Sequence, residues 1–152
     1  MSKTKTDYSC GVVAFRVLDG VREFLLVQHQ AGHWAFPKGH PEDDETPIET
    51  ARRELREETG LVDIELLEAP AFEEAYCFTK KSGTVVEKTV TYYLGRLSDP
   101  GSAQVTVQEE EVQAFAWGDA EATMSKLTFA EGRRLFDEVL GFLDRQPDVF
   151  RS

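Results

Sequence analysis

The chain has 152 residues, 41% of them hydrophobic, which suits one compact domain and leaves no room for a second. A formal net charge of -11 argues against a nucleic-acid duplex as partner, because such binders depend on a basic footprint that releases counterions. No apolar run is long enough to cross a bilayer and the polar start carries no signal-peptide pattern, so a cytoplasmic protein with no membrane partner is expected.

A flexible tail is expected over residues 1–7, then one domain over 8–146, with 147–152 as a C-terminal tail. Residues 9–17 and 23–28 are apolar runs separated by an Asp19-Gly20 turn signal, which predicts a β-hairpin. A loop over 33–39, containing Pro37 and Gly39, leads into an acidic stretch. Thr46 then offers an N-cap, Pro47 a first helical residue, Glu49 a capping-box partner and Gly60 a terminator. Residues 62–67, 72–79, 85–97 and 112–117 read as strands, with turns at 80–83 and 98–102. A second capping box, Thr128 with Glu131, precedes Leu135, Phe136, Val139, Leu140 and Leu143 at helical spacing. The order predicts an α/β fold with helices on both sides of a mixed sheet. Cys10 and Cys77 sit in apolar, strand-like stretches and are expected to be reduced, buried thiols.

At 100° per residue the first helix sorts its side chains into stripes. Ile48, Ala51 and Leu55 make the core stripe; Glu54, Glu57 and Glu58 make an adjoining stripe of carboxylates. Pairs such as Glu49 with Arg53 and Arg53 with Glu57 are what an ordinary solvated helix shows. Glu54 and Glu58 are not explained that way, since like charges at i,i+4 destabilise a helix by roughly 0.2 to 0.5 kcal/mol. A divalent cation turns that repulsion into ligation. Oxygen donors without a histidine or cysteine cluster suit Mg2+, with Mn2+ as the alternative, rather than zinc. Cations and a few lysines would also let so acidic a chain accept an anionic polyphosphate.

Gly39, Glu45, Arg53, Glu54, Leu55, Glu57, Glu58, Gly60 and Leu61 match every fixed position of the Nudix box. On these residues the chain resembles the Nudix hydrolases. The resemblance implies an α/β/α sandwich and a reaction in which water attacks one phosphorus of a nucleoside diphosphate linked to another group. It implies Glu54, Glu57 and Glu58 as metal ligands, helped by the backbone carbonyl near Lys38 and Gly39, with Glu58 doubling as a base. Arg53 and Glu45 would orient those ligands; a loop-to-helix salt bridge without catalytic consequence is the rival reading of that pair.

Outside the box, His33-Trp34-Ala35-Phe36-Pro37-Lys38-Gly39-His40, residues 72–76, 87–93 and 111–117 are similar to the asymmetric diadenosine tetraphosphate hydrolases. That similarity implies cleavage of diadenosine tetraphosphate to ATP and AMP. It implies that Lys38 and Lys88 hold phosphate, that Tyr76 and Phe129 stack on adenine, and that His33 bonds a phosphate or base. Glu111 would be a further metal ligand. The group's motif there reads His-Glu-His-Gln, whereas this chain has Glu110 and Val112 for the histidines, so Glu109 and Glu110 stay open as alternatives. A solvated surface is the competing reading for the lysines and Glu111, core packing for the two rings, and a loop pin for His33. Two other reactions stay open: pyrophosphate removal from RNA ends, and cleavage of ADP-ribose or a nucleotide sugar. A nucleotide sensor without turnover is a third reading, which the intact box carboxylates weigh against. A monomer or weak dimer is expected.

Overall fold

The strand β1 (Thr4–Leu18) is buried on both faces along its middle because its side chains alternate between two cores. Val13 and Phe15 enter one; Cys10, Val12 and Ala14 enter the other. This is why the run is continuously apolar instead of alternating. The computed structural model describes residues 3–99, 104–108 and 110–150. After β1 come β2 (Val21–His29), β3 (Trp34–Ala35), β4 (Lys38–Gly39), α1 (Pro47–Thr59), β5 (Ile64–Thr79), β6 (Val85–Leu97), β7 (Val112–Gly118), α2 (Ala120–Lys126) and α3 (Ala130–Arg145).

The sheet runs β3-β2-β1-β6-β5, with β4 on β1 and β7 on β2. It is mixed: β1 and β6 are parallel, while β1–β2, β5–β6 and β2–β7 are antiparallel. The β1–β2 hairpin turns at Asp19 and Gly20, both at positive φ, 50° and 80°, the twist that a two-residue turn needs. One edge of β1 is shared. Phe15 to Leu18 pair with β2, while Cys10 and Gly11 pair with β4 and so bring the loop backbone to the sheet. α1 covers one face with Ala51 and Leu55; α3 covers the other with Leu135, Phe136, Val139 and Leu143. The expected arrangement of helices on both sides of a mixed sheet is the one observed.

Several expectations are corrected. The two strands expected at 62–67 and 72–79 are one strand, β5, which begins at Ile64 and whose register on β6 shifts between Leu66 and Ala71. The long β6 pairs on both sides of that break, which keeps the strand together. The expected tail over 1–7 is strand from Thr4, because Thr4 to Asp7 pair with Val85 to Lys88. At the other end, within the expected tail over 147–152, Phe150 packs its ring 5.4 Å from Phe15; residues 151–152 lie outside the described residues. Thr128 does not cap α3: Phe129 is the N-cap residue and makes no side-chain cap bond. The Thr128 hydroxyl instead accepts from the Trp34 backbone N–H at 2.8 Å. The short α2, capped by Asp119, was not read from the sequence. Cys10 is buried as expected, but Cys77 is exposed. The turn at 98–102 lies partly outside the described residues. No helix among the described residues is long and apolar enough to cross a membrane.

Candidate active site

α1 forms where its local signals place it. Glu49 N–H donates to the Thr46 hydroxyl at 3.3 Å and Thr46 N–H donates to the Glu49 carboxylate at 2.8 Å, a complete capping box. Gly60 ends the helix at φ 77°, its N–H donating to the Arg56 carbonyl. Packing of Ala51 and Leu55 into the core then fixes the rotation of the helix, and Glu54 and Glu58 are carried inward with them.

Glu54, Glu58 and Glu111 present carboxylate oxygens that lie within 4.8 Å of one another. Glu111 reaches them from the turn before β7, where its N–H donates to the Gln108 carbonyl and its own carbonyl accepts from Gln30 N–H. Gln108 N–H in turn donates to the Glu58 carbonyl, which ties this turn to α1. Glu110 is not part of the group, and Glu109 lies outside the described residues. β4 lays Lys38 and Gly39 against the same carboxylates, and a side chain at position 39 would collide with the Glu54 carboxylate. Burial, and then the neighbouring Glu54, push Glu58 up to about 9. Glu58 Oε1 is buried without a hydrogen-bond partner. A convergent set of hard oxygens, one of them buried and unpartnered, fits a divalent cation.

Glu57 parts from the other two. It is 38% exposed and its carboxylate accepts from Arg53 Nη1 at 3.0 Å. Arg53 also donates to Glu45 from Nε at 2.7 Å and Nη2 at 3.0 Å, to Glu54 from Nη1 at 2.9 Å, and to the His40 carbonyl from Nη2 at 2.8 Å. The hydrogen bonds from Arg53 hold Glu45 down at about 2. One guanidinium therefore ties the loop to α1 and orients Glu54.

The carboxylate cleft, about 540 Å³, abuts a second cleft of about 450 Å³ lined by the rings of Trp34, Tyr76, Phe78 and Phe129. His33, Lys38 and Lys88 line both. Tyr76 is half-buried; Phe129 is 52% exposed at the mouth, so neither is a core residue. Burial pushes the Lys38 amine below its usual range, and the nearby Lys88 adds to this. Lys88 is not a solvated cation: it is 6% exposed and donates to Asp7 at 2.9 Å and to the Ser9 hydroxyl at 2.6 Å. Assigning Asp7 to a tail hid that pair. The sequence reading also missed His29, which lines the carboxylate cleft and stacks on His33 at 4.7 Å; His33 in turn lies 5.2 Å from Phe129. Burial drops His29 to about 4, and its Nε2 has no partner. Its one sequence signal is its place at the end of β2, just ahead of the loop.

Residues 8–139 match the family described as NUDIX domain. The chain is 31% identical over 147 residues to the asymmetrical bis(5'-nucleosyl)-tetraphosphatase of Mus musculus and 33% identical over 149 residues to that of Rattus norvegicus. Each alignment takes in 91% of this chain and 97% of the relative. Among solved structures, the binary complex of a C. elegans Ap4A hydrolase superposes with a TM-score of 0.78 at 29% identity, covering 91% of this chain and 98% of that one. With the box carboxylates gathered on one capped helix and the family match spanning nearly the whole sheet, the chain belongs to the Nudix hydrolases.

Proposed function

We propose that the chain hydrolyses diadenosine tetraphosphate to ATP and AMP by attack of water on phosphorus, with Mg2+, or alternatively Mn2+, as the cation. The observation that carries this reading is the continuity of the two clefts, a ring-lined one and a carboxylate-lined one joined by His33, Lys38 and Lys88. The rodent and nematode relatives named above are described as acting on this class of compound.

Glu54, Glu58 and Glu111 would hold the cation, with Glu57 as the outer member of the set and the Lys38 backbone carbonyl contributing. Bound there, the cation supplies Lewis acidity and positive charge to phosphate oxygens. Tyr76 and Phe129 offer faces on which one adenine stacks. Lys38 and Lys88 lie along the polyphosphate and offset locally the repulsion from a chain of net charge -11. Lys38 carries more of this, because the Lys88 charge is already paired with Asp7. His33 borders both clefts and bonds the phosphate or base that passes it. Arg53 keeps Glu54 in place, and Glu58 takes the proton from the attacking water.

An adenosine held by stacking sets a fixed distance along its own polyphosphate, so the phosphorus attacked is chosen by that distance and not by the symmetry of the substrate. Incubation with magnesium and diadenosine tetraphosphate in water labelled with heavy oxygen is expected to give ATP and labelled AMP. ADP as the main product would reject asymmetric cleavage. Turnover of triphosphorylated RNA or ADP-ribose in its place would redirect the assignment within the family.

A further inference from the structure

Glu74 is a polar group of the ring-lined cleft that the proposed reaction leaves unused. It lies two residues before Tyr76 on β5, and strand alternation puts the two side chains on one face roughly 7 Å apart. Phe129 and Glu131, a ring and a carboxylate in the opposite order along the chain, line the same cleft where α3 begins. The Glu131 charge is felt by both Glu74 and Tyr76, so the two ring–carboxylate pairs share one space.

Among the described residues the Glu74 carboxylate has no hydrogen-bond or ion-pair partner. It rests against the first turn of α3, where Gly132 leaves it room: its Oε2 lies 4.0 Å from the place a Cβ at 132 would take. Burial pushes the Glu74 carboxylate above its usual range and the nearby Glu131 adds to this, while the charges of Lys38 and Lys88 and the positive end of the 16-residue α3 work the other way, toward the ionised form. An ionised carboxylate accepts hydrogen bonds and donates none.

We propose that Glu74 makes this cleft selective for guanine, accepting the ring N1–H and the exocyclic amino group on its two oxygens while the base stacks on Tyr76 and Phe129. Guanine presents those two donors side by side. Adenine presents one amino donor beside an N1 lone pair, which would face the second carboxylate oxygen and repel it. The inference rests on the tetraphosphate hydrolysis proposed above and refines it: where a substrate offers two bases, the guanosine is the anchored one.

The mixed substrate carrying adenosine at one end and guanosine at the other tests this within one reaction. The anchored nucleoside keeps three phosphates, so the parent enzyme should give GTP with AMP over ATP with GMP by about tenfold, the worth of one hydrogen bond to a charged group. Glu74→Gln has one donor and one acceptor, which match the adenine edge, and should shift the ratio toward ATP with GMP. A ratio of products is indifferent to partial unfolding. Equal yields from the parent, or an unchanged ratio in Glu74→Gln, would overturn the inference while leaving the hydrolysis standing. If neither pair of products forms, the hydrolysis reading fails and titration calorimetry in EDTA decides the base preference. GTP bound about tenfold more tightly than ATP by the parent, and not by Glu74→Gln, sustains the inference; equal affinities end it.

Discussion

Glu57 and Glu58 are neighbours in sequence, yet α1 turns one toward Arg53 at the surface and the other into a buried position beside Glu54 and Glu111, where its Oε1 has no partner. That divergence predicts different costs. Glu58→Gln keeps the volume and removes a charge from the convergent set, and turnover should fall by on the order of 100- to 1,000-fold. Near-normal turnover at saturating magnesium would sink the assignment of Glu58. Arg53→Lys keeps a charge but loses the fork that reaches Glu45, Glu54, Glu57 and the His40 carbonyl together. Its loss should be about 10- to 100-fold, the range for groups that orient metal ligands, and should appear mainly as a titration curve moved to higher magnesium concentration. A variant with the parent's magnesium titration curve would make the Arg53 network a structural brace only.

At the scale of elements, α1 is the part whose cap can be tested alone. Thr46→Ala removes the acceptor for Glu49 N–H and undoes the capping box, so the domain should lose about 1 kcal/mol in a denaturant titration. An unchanged midpoint would show that the box adds nothing. α1 was legible in sequence because its signals are local: Thr46, Pro47, Glu49 and Gly60 each act within one turn of where they stand. α3 was legible in its apolar spacing but not in its start, since the Thr128 hydroxyl is claimed by Trp34, 94 positions away in sequence. The same limit explains Lys88, whose partner Asp7 is 81 positions away, and β5, which the pairing of β6 holds together across Leu66 to Ala71. Carboxylate spacing along one helix could be read from sequence, and the rotation set by Ala51 and Leu55 buries Glu58 and not Glu57; the third carboxylate of the cluster, Glu111, arrives from another element, which local spacing does not show.

Across the whole molecule, two apolar cores on either face of the sheet hold up a site whose ionisable groups are mutually unfavourable without a cation. Burial pushes Glu54, Glu58 and Glu74 upward alike, and Glu58 moves from an ordinary 4.5 to about 9. The folded metal-free chain therefore holds a proton on Glu58 that the unfolded chain has released anywhere between those values. Stability from that proton is complete below about 4.5 and is lost as pH rises through about 9. His29 slopes the other way: with an ordinary 6.5 lowered to about 4, it costs stability as pH falls from 6.5 toward 4. Above pH 6.5 the His29 contribution is level, which leaves the Glu58 slope in view. In EDTA the parent's Tm should fall steadily from pH 6.5 to 9, whereas Glu58→Gln, with no charge to bury, should be flatter. At pH 8 the variant should melt at least about 3 °C above the parent, the shift that ~1 kcal/mol gives in a domain of this size. Magnesium should raise the parent's Tm and remove most of its pH slope, because ligation replaces the proton, and should do much less for the variant. Parallel Tm curves for parent and variant in EDTA would mean that Glu58 is not held protonated by the fold. A parent gaining nothing from magnesium would mean that the three carboxylates do not bind it; the expected result makes one residue both a source of instability in the empty fold and a requirement for turnover.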